Sequence, residues 1–140
     1  MTTMERTMEP AVAPTVAVRG WLRLEGVAAF IAGLVLYGEL GAPWWLALPL
    51  LLLPDVSAVG YLAGPRTGAF VYNFVHNWAF GLAVLGIGLA AGILPIAILG
   101  AIAIAHVGMD RAVGYGLKLP TSFQDTHLGR MGRDRRSHQS

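Results

Sequence analysis

His106 and Asp110 stand four residues apart near the end of an apolar stretch long enough to cross a membrane. That spacing puts an imidazole and a carboxylate on one helix face, where they can share a divalent ion or work as an acid-oriented general base. Asp55 directly follows Pro54 and lies close behind Pro49. Each proline removes a backbone donor, so the helix is expected to unwind there and leave free carbonyls beside a carboxylate. Asn73, His76 and Asn77 share one stripe at spacings of three and four, which reads as hydrogen bonding between helices, with His76 also able to reach a metal or substrate. Glu25, one turn into the first apolar stretch, adds another acid. The expected catalytic residues are therefore Asp55, His106, Asp110 and Glu25. The expected metal ligands are His76, His106 and Asp110, a nitrogen and oxygen donor set suited to zinc, manganese or iron. No Glu-x-x-His pair, His-Glu-x-x-His or Gly-x-Ser-x-Gly motif occurs, so this chemistry rests on the residues meeting in space.

The elements that must bring them together follow from composition. With 55% hydrophobic and 13% charged residues and a mean hydropathy of +0.58, the chain suits a helical bundle in lipid and not a water-soluble globule. No Lys, Arg, Asp or Glu occurs between Thr67 and Met109, more than the roughly 20 apolar residues that one crossing needs. Two helices must share that run. Cysteine is absent, which excludes disulfides, thiolate metal sites and thiol nucleophiles.

The expected architecture is all-α, a polytopic membrane protein folded as an antiparallel bundle of four transmembrane helices. Residues 1–18 are expected to form a disordered arm, 19–119 the transmembrane domain, 120–130 a cytoplasmic cap and 131–140 a basic disordered tail. The crossings run from about Trp21 to Gly38, Pro43 to Ala63, Thr67 to Gly92 and Pro95 to Gly116. Small-residue ridges at Gly26, Ala29 and Gly33 and at Ala97, Ala101 and Ala105 invite close helix approach.

All ten Lys and Arg residues fall on one side of this arrangement, so the positive-inside rule puts both termini on the cytoplasmic side of an inner (plasma) membrane. At about 1.5 Å per residue, the polar residues of all four helices lie roughly 6 to 18 Å in from that side. Arg23, Arg66, Arg111 and Lys118 ring the same side at headgroup level; they serve to orient the chain and attract anionic lipid, or else, with Asn73 and Asn77 near them, they hold a lipid phosphate or diphosphate of the substrate above the acids. Without aromatic interleaving these basic residues fit membrane lipids as partners and not nucleic acid.

The segments Leu22-Arg23-Leu24-Glu25-Gly26, Pro54-Asp55 leading to Gly64-Pro65-Arg66, Tyr72-Asn73 with His76, His106 with Asp110-Arg111, and Gly114-Tyr115-Gly116-Leu117-Lys118 running into Asp125-Thr126-His127-Leu128-Gly129 carry a resemblance. Over about Trp21 to Arg130 the chain resembles the domain of unknown function 4260 family of small bacterial integral-membrane proteins. The resemblance implies a four-helix membrane fold and no particular activity.

Three functions fit these residues. The first is a membrane-embedded enzyme using acid-base or metal-assisted chemistry on a lipid or isoprenoid, with a divalent metal ion as its cofactor. The second is a small transporter or ion carrier, which needs an exit that the apolar outer half denies it unless the chain forms homo-oligomers. The third is a membrane subunit whose polar residues serve packing alone.

Overall fold

The computed structural model describes residues 14–131, so most of the expected arm and nearly all of the expected tail lie outside the described residues. The first helix, α1 (Val16–Glu39), starts inside the stretch expected to be arm. Thr15 caps it, its side chain accepting from the Val18 N–H at 3.3 Å. A 3₁₀ turn at Trp44–Leu46 leads into α2 (Ala47–Leu52), which tightens at once into a second 3₁₀ segment, Leu53–Ala63. Pro54 accounts for the tightening. It has no N–H for the Leu50 carbonyl four residues back, and the Leu53 N–H takes that carbonyl instead.

The stretch expected as one third crossing is two helices, α3 (Pro65–Val75) and α4 (Trp78–Ala91), bent by 45° at His76 and Asn77. Neither proline nor glycine stands at the break. Asn77 makes it: its Oδ1 caps α4 by accepting from the Phe80 N–H at 2.9 Å, while its Nδ2 donates to the carbonyls of Asn73 and Phe74. The final helix, α5 (Leu94–Val113), ends at Gly114, whose φ of 92° is left-handed.

The molecule is thus mostly helical, with a two-residue hairpin, β1 (Asp125–Thr126) and β2 (Gly129–Arg130), after α5. Val16–Glu39, Trp44–Ala63 and Leu94–Val113 are each long and apolar enough to cross a membrane, and the bent α3–α4 pair makes a fourth candidate if taken as one span. α5 is the buried one, with α1 packed along one side and α4 along another. Small residues permit this: a Cβ on Gly33 would fall 2.6 Å from the Ala105 nitrogen, and one on Gly100 against the Leu85 backbone. Large apolar side chains such as Leu24, Ile31, Leu48, Val56, Phe70 and Leu82 point outward. An apolar exterior around a core of small residues is what a lipid solvent selects, and it marks the chain as membrane-associated.

The segment after α5 returns to α3. Asn73 holds it with both ends of its amide, Oδ1 accepting from the Lys118 N–H at 2.6 Å and Nδ2 donating to the Lys118 carbonyl at 2.8 Å. His127 closes the segment on itself, its Nδ1 accepting from the Leu117 N–H at 2.9 Å. Burial and, next, the Arg111 cation hold the His127 imidazole below its ordinary range. The folded segment therefore disfavours the protonated ring. Its attachment is complete above about pH 6.5 and weakens as pH falls through the lower folded value. Hydrogen exchange at the Leu117 amide is expected to speed up on acidification through that window, and His127→Gln to remove the acceleration. Exchange independent of pH, after correction for intrinsic rates, would contradict this.

Candidate metal centre

Four side chains from three elements converge beside α5. Asp55 comes from the 3₁₀ segment, His76 from the α3–α4 break, and His106 and Asp110 from α5. The two imidazole Nε2 atoms stand 2.9 Å apart. Asp55 Oδ1 lies 3.4 Å from one and 3.5 Å from the other. Asp110 Oδ2 stands slightly further off, 3.6 Å from His106 Nε2 and 3.9 Å from His76 Nε2. Donors about 2.1 Å from one ion are about 3.4 Å apart at a tetrahedral angle and about 3.0 Å apart at a right angle, so the two Asp55 spacings match the first, the spacing between the imidazoles matches the second, and all three fall within what one divalent ion can span.

The backbone decides which nitrogens are free. His76 Nδ1 donates to the Tyr72 carbonyl at 2.9 Å, and His106 Nδ1 to the Leu51 carbonyl at 2.6 Å. A carbonyl only accepts, so each Nδ1 carries the proton and each Nε2 presents a lone pair to the other. The Leu51 carbonyl is available because its partner three residues on in the 3₁₀ register would be the nitrogen of Pro54, which has no hydrogen. The proline that unwinds the segment thus also orients His106. Two lone pairs facing at 2.9 Å repel unless a proton or a cation lies between them.

The surroundings complete the case for a cation. His76 and His106 are fully buried and Asp110 nearly so, whereas the Asp55 side chain is half exposed. Among the described residues, the ion pairs of both carboxylates are with these two imidazoles alone. Two carboxylates with neutral imidazoles leave a charge that a divalent ion would balance. The Tyr72 ring stacks on His76 at 3.6 Å and its hydroxyl donates to Asp110 Oδ2 at 3.2 Å, fixing both. Asp55, Asp110 and Tyr72 line a pocket of about 490 Å³, which gives the centre an open side.

A family model described as Domain of unknown function (DUF4260) matches residues 19–131. The chain belongs to this family. No curated protein and no solved structure matches it. Within the DUF4260 span, the structure brings together Asp55, His76, His106 and Asp110, but not Glu25, expected as a shallower catalytic acid in the same half of the bundle. On α1 it is Gly26 that meets α5, against Gly108 and Arg111, and Glu25, one position earlier, is turned outward. Glu25 lines a separate pocket with Asn77, Arg111 and His127.

The residues expected at a headgroup fall into two groups. Arg23 and Arg66 are exposed, on α1 and in the first turn of α3. Arg111 is buried, its guanidinium donating to the Tyr115 carbonyl at 2.7 Å and to the His76 carbonyl at 3.2 Å, the latter freed by the helix break. Asn73 and Asn77 direct their amides to main chain, at the Lys118 clamp and the break. The basic residue that reaches the pocket is Lys118. Sequence reasoning missed the role of Tyr72, although its position one turn before His76 was a usable signal.

Proposed function

We propose that this DUF4260 protein is a multi-pass inner-membrane enzyme of four antiparallel spans, with both termini cytoplasmic, that uses a divalent metal ion to act on a lipid or isoprenoid. Asp55, His76 and His106 hold the ion. Asp110, oriented by the Tyr72 hydroxyl, stands beside it and can take or return a proton at Oδ2. What the ion supplies is Lewis acidity toward a substrate oxygen. The observation that carries this reading is the pair of Nε2 lone pairs 2.9 Å apart, each ring locked by a carbonyl at Nδ1. A packing role needs no such opposition of like groups, and the neighbouring pocket gives a reactant room.

The test is elemental analysis of the chain purified in detergent without chelator, alongside mass spectrometry of the lipids that accompany it. About one divalent ion per chain is expected, together with a lipid species whose turnover stops on chelation. A chain that holds no metal, even after dialysis against zinc, manganese or iron, overturns the metal reading and leaves a proton shared by the two imidazoles.

A further inference from the structure

We propose that Lys118 and the metal centre together form a binding site for a phosphate group, carried by the substrate into the 490 Å³ pocket. The inference rests on the metal reading above and names the substrate chemistry of that same site.

Lys118 is 3% exposed and is one of the residues lining the pocket that Asp55 and Asp110 also line. Its partners are poor acceptors for a cation. Nζ lies 3.9 Å from the Phe123 ring centroid and 5.1 Å from that of Tyr72, and its hydrogen bond goes to the Met131 thioether at 3.3 Å. Among the described residues no carboxylate comes within ion-pair contact of it, and Asp110 and Asp55 act on it only at longer range. A buried ammonium with aromatic faces and a sulfur around it retains donors for an anion.

Its placement is enforced. The Asn73 amide grips both backbone groups of Lys118, and an antiparallel bridge joins Lys118 to Thr126. Such bracing of a lysine backbone serves a side chain that must be held in one place.

Charge then selects the ligand. Without the ion, two carboxylates would repel any anion that Lys118 attracts. With the ion, the two carboxylates are balanced and the ammonium leaves the pocket positive. A phosphate has oxygens enough to meet the metal and the ammonium at once, which a single hydroxyl or carbonyl cannot do. The phosphate can come from a lipid headgroup or from a free phosphate compound.

The test uses the full chain in dodecyl maltoside micelles, loaded with Co²⁺, whose visible absorption reports metal coordination. Inorganic phosphate and, separately, dioctanoyl phosphatidate are titrated, and ³¹P relaxation reads their approach to the ion. Lys118→Gln is expected to weaken phosphate-group binding at least tenfold with the cobalt spectrum unchanged, and Lys118→Arg to restore most of it. Lys118-dependent binding confined to phosphatidate identifies a lipid headgroup, and binding of inorganic phosphate identifies a soluble source. Equal binding by the parent chain and Lys118→Gln, or no relaxation of either probe by the cobalt-loaded parent, overturns the inference and leaves the metal reading standing. A parent chain without the cobalt spectrum defeats both.

Discussion

Chains carrying His106→Ala are expected to leave purification with less than a tenth of the metal bound by the parent. The substitution removes one of three closely spaced donors and, with it, the group that satisfies the Leu51 carbonyl. Loss of an outer-shell partner of a metal site commonly lowers affinity about 10- to 100-fold, and loss of the ligand itself costs at least as much. The orphaned carbonyl adds a destabilisation of about 1–3 kcal/mol. The melting temperature in detergent should therefore fall even though α5 persists, which circular dichroism can verify. His127→Ala is the control, because that imidazole hydrogen-bonds within the segment after α5 and lies outside the donor set. If both variants retain metal at the parental level, the ion is bound elsewhere and the centre described above is not its site.

The second large effect is expected from Gly33→Val. The new Cβ would lie 2.6 Å from the Ala105 nitrogen and 2.8 Å from its Cα, both backbone atoms with no rotamer to escape into. α1 would have to withdraw from α5 along the interface that also includes Gly26 and Gly108. Overpacking usually costs about 1–3 kcal/mol, and a clash with main chain belongs at or above the upper end. Gly20→Val on the same helix, where an added Cβ has nothing within 4 Å, serves as the reference. Unfolding in a graded denaturing detergent should separate the two variants by about 3 kcal/mol or more. Equal stability would mean that the seam contributes nothing to holding α1.

Much of this was legible from residue type and spacing. Ionisable groups within apolar helices pointed to Asp55, His106 and Asp110, and the two prolines before Asp55 pointed to an unwound backbone, which appears as the 3₁₀ segment. The family resemblance carried by the Asp125-Thr126-His127-Leu128-Gly129 region agrees with the match over residues 19–131. Glu25 was misplaced because counting residues inward fixes depth along a helix and not the direction in which a side chain leaves it. One position of offset from Gly26 was enough to turn it outward. The break at His76 was invisible for another reason: it comes from an asparagine competing with the helix for main-chain groups, which the residue types around it did not announce. Arg111 and Asn73 were assigned to headgroups because the carbonyls and amides they serve become available only once the chain has folded.

The three donors are not mechanically equivalent. Those on His76 and His106 belong to buried rings tethered at the far nitrogen, whereas Asp55 projects, half exposed, from a 3₁₀ segment that also turns Leu53 and Val56 outward. If the site held an ion, ligand exchange would begin at the carboxylate, which belongs neither to α5 nor to the α3–α4 corner. Were an ion held there, its lability and the order of its loading and release would follow the exposed proline segment, while the imidazoles would set how tightly it is held.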